Sequence, residues 1–161
     1  MFKKILAAAL MIGVFLFLPL IISGDWISSA DFLSTAEDVN ASATAVNGTA
    51  FDTKEVNIKY PSYVNPVGAI TVTFTTDGSG TSDEIDFEFQ VSYDDATTWS
   101  TAYYVKISVA TNKTADASDV VRVTKAVNFY GISHVRLYRI VNNDSANNLT
   151  DCNATISLGG R

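Results

Sequence analysis

The sequence predicts an all-β protein, a single antiparallel β-sandwich or jelly roll of seven or eight strands preceded by a hydrophobic N-terminal helix. Three observations carry this. Apolar and polar residues alternate in long runs after residue 50, no helical period appears there, and clusters of Gly, Asn and Asp separate the runs. The organisation divides at residues 30 and 50: a signal peptide or membrane anchor over 1–30, an Ala/Ser/Thr-rich arm over 31–50, and the sandwich domain over 51–161.

The first element is the N-terminal helix. Met1-Phe2-Lys3-Lys4 is basic, and Ile5 to Ile22 is a run of 18 residues without a charge, which spans about 27 Å as a helix and sits between a signal peptide and a membrane anchor in length. The two lysines hold the N-terminus inside, so everything beyond Ile22 is expected to be exported whether or not the helix is cleaved. Small residues at Ser28-Ser29-Ala30 suit a signal peptidase, and Ile22-Ser23-Gly24 is a poorer alternative. The expected location is extracellular or at the cell surface, with membrane contact only through residues 5–22.

The arm follows. Val39, Ala41, Ala43 and Ala45, continued by Val46, alternate with Asn40, Ser42 and Thr44. As a strand this segment has one small apolar face, suited to completing the sheet of a neighbouring copy; as a disordered tether it would need no partner.

The strands come next. Val56, Ile58 and Tyr60 form the first alternating run, then Ile70, Val72 and Phe74 with Thr71, Thr73 and Thr75 between them. Ile85, Phe87, Phe89, Val91 and Tyr93 alternate with Asp86, Glu88, Gln90 and Ser92, which predicts a strand with one face wet. Runs at 103–109, 120–123, 127–129 and 134–141 follow, and Cys152, Ala154, Ile156 and Leu158 close the domain. Pro61 and Pro66 mark a loop, and Asp77-Gly78-Ser79-Gly80 a hairpin.

Ser92-Tyr93-Asp94-Asp95-Ala96-Thr97-Thr98-Trp99 resembles the Asp-box, S-x-D-x-G-x-T-W, the β-hairpin signature of sialidase blades, with Ala96 in place of the family's Gly. The resemblance implies a structural hairpin in which Ser92, Asp94 and Thr98 bond the turn and Trp99 packs beneath it. One copy implies no propeller and no sialidase activity. The order FEFQVSYDDATTW, HVRLYRI and a final alternating strand is also similar to the late strands of discoidin-like sandwiches, which implies a carbohydrate-binding or adhesion module.

Composition excludes several classes. A formal charge of -6 and scattered basic residues argue against nucleic acid. His134 is the only histidine and no nucleophile motif, phosphate loop or zinc spacing accompanies it, so no enzyme activity and no required cofactor are expected. Asp77, Asp83, Glu84, Asp94 and Asp95 are the candidate calcium ligands, expected to converge at one end of the sandwich. Cys152, alone, reads as a core thiol. Six sequons, at Asn40, Asn47, Asn112, Asn143, Asn148 and Asn153, are glycosylation candidates.

The expected function is that of an exported structural subunit of a surface filament, pilus or sheath, or of a particle coat, assembling with copies of itself by strand addition through the arm. The alternative is a glycan-binding module using Trp99, Tyr103 and Tyr104 as stacking platforms.

Overall fold

The structure, a computed structural model, describes residues 26–58, 67–76, 84–110 and 120–160. The expected N-terminal helix and the candidates Asp77, Asp83 and Asn112 lie outside these. Every regular element among the described residues is a strand: β1 (Trp26–Asp31), β2 (Glu37–Val39), β3 (Thr44–Val46), β4 (Val56–Asn57), β5 (Val67–Thr76), β6 (Glu84–Ser92), β7 (Val105–Ala110), β8 (Val120–Asn128), β9 (His134–Asn142) and β10 (Leu149–Gly160).

They form two antiparallel sheets of five strands. One runs β1-β10-β5-β8, with β2 also on β10; the other runs β3-β9-β6-β7, with β4 also on β9. One hydrophobic cluster draws on both sheets in a sandwich-like arrangement, and Phe74 of β5 stacks on Phe87 of β6 across it at 6.0 Å between ring centroids. On one flank the edges meet where the Lys125 ammonium of β8 donates to the Lys106 carbonyl of β7.

The alternating runs explain the long strands. In β5, Ile70, Val72, Phe74 and Thr76 point inward and the threonines between them outward, and Thr71 bonds Thr124 of β8 hydroxyl to hydroxyl at 2.9 Å. In β10 the inward set is Leu149, Cys152, Ala154, Ile156 and Leu158. The parity break after Leu149 is a bulge: the register shifts between Thr150 and Asn153, and Asp151 takes a positive φ of 53°. A second shift between Glu88 and Phe89 matches a parity change on β9, where Val135 and Leu137 face the core and then Ile140 and Asn142 do.

Three expectations need correction. The domain does not begin at residue 51: residues 26–57 lie along one flank of both sheets, β1 and β2 on β10 and β3 and β4 on β9. Phe32, Leu33, Val39, Ala45 and Phe51 are buried in this chain's own core, and Phe32 packs 5.1 Å from Phe89. Residues 39–46 are therefore neither a free arm nor a disordered tether, because burying those rings and satisfying the β9 and β10 edges outweighs leaving them in water. The strand β1 also runs through the point where cleavage after Ala30 was expected.

Second, the runs at 120–123 and 127–129 belong mostly to one edge strand, β8, whose middle is exposed. Third, β6 has no wet face. Asp86, Glu88 and Gln90 are buried, because β6 is central and long basic side chains from both neighbours cross over them. Lys106 meets Asp86 at 2.7 Å, Arg139 meets Glu88 at 2.7 Å, and Arg136 donates to the Gln90 side-chain oxygen at 2.8 Å. Pairing of this kind offsets the cost of burying an acid.

Candidate functional site

The turn that leaves β6 is built by three side chains. The Ser92 hydroxyl donates to the Asp94 carboxylate at 2.8 Å and accepts the Ala96 N–H at 3.0 Å. Asp94 accepts the Thr98 N–H at 2.8 Å and the Thr98 hydroxyl at 2.6 Å. These bonds favour the charged carboxylate, and those from Thr98 first, then that from Ser92, pull the Asp94 pKa from 3.8 to about 2. Asp95 and Ala96 take positive φ values of 56° and 64°, so Ala96, which stands where the Asp-box has glycine, holds a left-handed conformation. The Trp99 ring is half-buried, and the Arg136 guanidinium carbon lies 4.2 Å from its centroid.

This turn belongs to one end of the molecule. Ser133 donates its N–H to the Ser92 carbonyl, which brings in the β8–β9 connection, and Tyr130 donates its N–H to the side-chain oxygen of Asn128, which is paired with Val67. Tyr104 donates its hydroxyl to the Asn128 carbonyl at 3.1 Å. Val67 pairs with Gly159, and Trp26 with Gly160, so the N-terminus of β1 enters here too. Exposed at this end are Val67 (56%), Tyr93 (63%), Tyr103 (46%), Tyr104 (43%) and Tyr130 (73%); Val120, at the other end, is the only other large exposed apolar side chain among the described residues. Of the three proposed stacking platforms, Tyr103 and Tyr104 are exposed, the latter with its hydroxyl bonded to Asn128, and Trp99 is half-buried and taken by Arg136. Tyr93 and Tyr130 were missed. Their signal was local: each follows a strand end and precedes a turn, Asp94-Asp95 and Gly131.

The opposite end is closed by a polar knot. The Asn142 amide donates to the carbonyls of Asn40 at 3.1 Å and Asn147 at 2.9 Å. The buried Asp144 carboxylate accepts the N–H groups of Ala146 at 2.8 Å and Asn147 at 3.1 Å and the Asn147 side-chain amide at 3.0 Å. These bonds tie the 142–148 loop to the segment between β2 and β3.

The sequons fall into two kinds. Asn40 and Asn143 are exposed at this knotted end. Asn47 accepts the Thr53 N–H, Asn148 the Ala41 N–H and Asn153 the Ala154 N–H through their side-chain oxygens.

Of the acids chosen for calcium, those among the described residues do not all converge: Glu84 begins β6, and Asp94 and Asp95 follow its end, about 30 Å away at a strand's rise. No cluster of three potential metal ligands occurs among the described residues.

His134 is half-buried at the start of β9, its Nδ1 3.3 Å from the Ser133 hydroxyl. That hydroxyl donates to the Ser92 carbonyl at 3.0 Å and accepts the Asp95 N–H at 3.0 Å, so it serves the turn. Cys152 is buried as expected, and burial, reinforced by Asp38, Asp151 and Glu37, pushes its thiol up to about 12. No family model matches the chain, and no curated protein matches it.

Proposed function

We propose that the chain is an exported structural subunit of a surface filament, pilus or sheath, or of a particle coat, and that copies join by exchanging their N-terminal strands. One observation carries the reading: the ladders of β1 to β4 are made with β9 and β10 alone. Residues 26–57 thus act as a detachable edge, and the same ladders formed between copies would satisfy the same hydrogen bonds and bury the same phenylalanines. The donor is then the whole segment from Trp26, not residues 39–46 alone. The strand order, β1/β2-β10-β5-β8 facing β3/β4-β9-β6-β7, supports reading the domain as a double-sheet jelly roll, an architecture used by particle coats and by lectins.

The test is a cysteine pair in the full-length chain. Ser29 and Ser157 are directly opposed on β1 and β10 and face outward, at a spacing a disulfide spans. Oxidised Ser29→Cys/Ser157→Cys protein, denatured with a thiol blocker present, is expected to run as a ladder of covalent oligomers. Monomer alone, with an internal disulfide, overturns strand exchange.

A second reading, a glycan-binding or adhesion module, is favoured by the exposed Tyr103 and Tyr104. Glycan-array binding that Tyr103→Ser/Tyr104→Ser abolishes, by a chain that stays monomeric, would select it.

A further inference from the structure

We infer that the tyrosine-bearing end of the molecule is a docking face for the lipid–water interface of the membrane that the apolar run 5–22 enters. This goes beyond the structural role proposed above and rests on the export reading of that run.

Two independent observations converge. The first is composition: five of the six large exposed apolar side chains among the described residues sit at this end, and four of those five are tyrosines. Tyrosine is the side chain that combines an apolar ring with a hydroxyl suited to headgroups, and it is enriched with tryptophan at membrane interfaces.

The second is the tether. The uncharged run ends at Ile22 and β1 begins at Trp26, four residue steps that reach at most about 14 Å when fully extended. Trp26 pairs with Gly160, next to the Gly159–Val67 pair, so the chain enters the sheet at the tyrosine end. With the run in the bilayer, this end lies within reach of the headgroup layer, whereas the knotted end stands about 30 Å farther out, the length of a nine-residue strand. The exposed sequon residues Asn40 and Asn143 then point away from the membrane.

Nearby charge is mixed, with the exposed carboxylates of Asp94 and Asp95 following Tyr93 in the turn. The Asp94 carboxylate is bonded to Ser92 and Thr98, and Arg136 lies against Trp99. A sugar ligand would use the same rings, but nothing about a free sugar explains why the exposed aromatics gather at the end where the apolar run enters.

The experiment uses the full-length chain in phosphatidylcholine vesicles, carrying Tyr93→Cys, Tyr130→Cys or Asn143→Cys with a nitroxide label. Cys152, buried and with its thiol pushed up, does not compete for the label. Flotation is read first, then the collisional accessibility of each label to oxygen and to a water-soluble nickel chelate. The proposal expects the protein to float and the labels at 93 and 130 to be several-fold less accessible to nickel than the label at 143. Floating protein with equal nickel access at all three sites overturns docking while leaving the anchor intact. Protein that fails to float overturns the anchor itself and docking with it. Glycan-array binding through Tyr103 and Tyr104, with 93 and 130 open to nickel, replaces the lipid face with a sugar face.

Discussion

Replacing Ala96 by glycine should stabilise this protein. Ala96 holds φ at 64° because the Ser92 hydroxyl captures its N–H and Asp94 closes the turn onto Thr98. A left-handed conformation costs an L-residue about 1–2 kcal/mol relative to its favoured regions. Glycine removes that strain but adds about 0.5–1 kcal/mol of backbone entropy lost on folding. The net gain is about 0.5–1 kcal/mol, or about 1–4 °C in Tm for a domain of this size. Urea and thermal unfolding of wild type, Ala96→Gly and Ala96→Val measure it. The valine variant, β-branched at positive φ, should fall below wild type by more than the glycine variant rises above it. If Ala96→Gly is neutral or less stable, the entropy term dominates and the side-chain bonds do not hold this turn in the left-handed region.

The same turn sets an acid response. The Asp94 pKa is depressed from 3.8 to about 2, so its contribution is fully present above about pH 4 and disappears as pH falls through about 2. A carboxyl-carbon NMR titration should give a midpoint near 2 for Asp94, and Asp94→Asn should flatten that part of the acid limb; a midpoint near 3.8 would show that the bonds from Thr98 and Ser92 are absent in solution. A third prediction concerns close approach. A Cβ at Gly68 would stand 2.7 Å from the Ser157 carbonyl oxygen and 3.0 Å from both Leu158 and Phe129 side chains. Backbone cannot yield as a side chain can, so Gly68→Ala should cost about 1–3 kcal/mol in chemical denaturation, and an unchanged midpoint would mean that β5 and β10 separate more easily than their ladder implies.

Much of the architecture was legible because alternation is a local property. The inward residues of β5, of β6 and of β10 from Cys152 onward can be read by period two, and the turn from Ser92 to Trp99 can be read from its motif because the bonds among Ser92, Asp94, Ala96 and Thr98 join residues at most four apart. The short strands β2 and β3 could not be read as part of this domain. Three-residue strands carry little periodic signal, and their placement depends on free edges of β9 and β10 contributed from about 100 residues away in sequence. The same holds for the acids of β6, whose alternation gave the right inward face and the wrong account of the other, since only the pairing with β7 and β9 brings Lys106 and Arg139 over them.

By itself, then, the sequence determined the strand period, the hairpin chemistry and the apolar run on which the proposed export rests, all of which depend on neighbours along the chain. The tertiary structure decided which edge the N-terminal residues cover and which acids are separated. It also decided that Tyr93, Tyr103, Tyr104 and Tyr130 gather where β1 begins, because in an antiparallel fold the end at which a loop emerges depends on how many strands precede it.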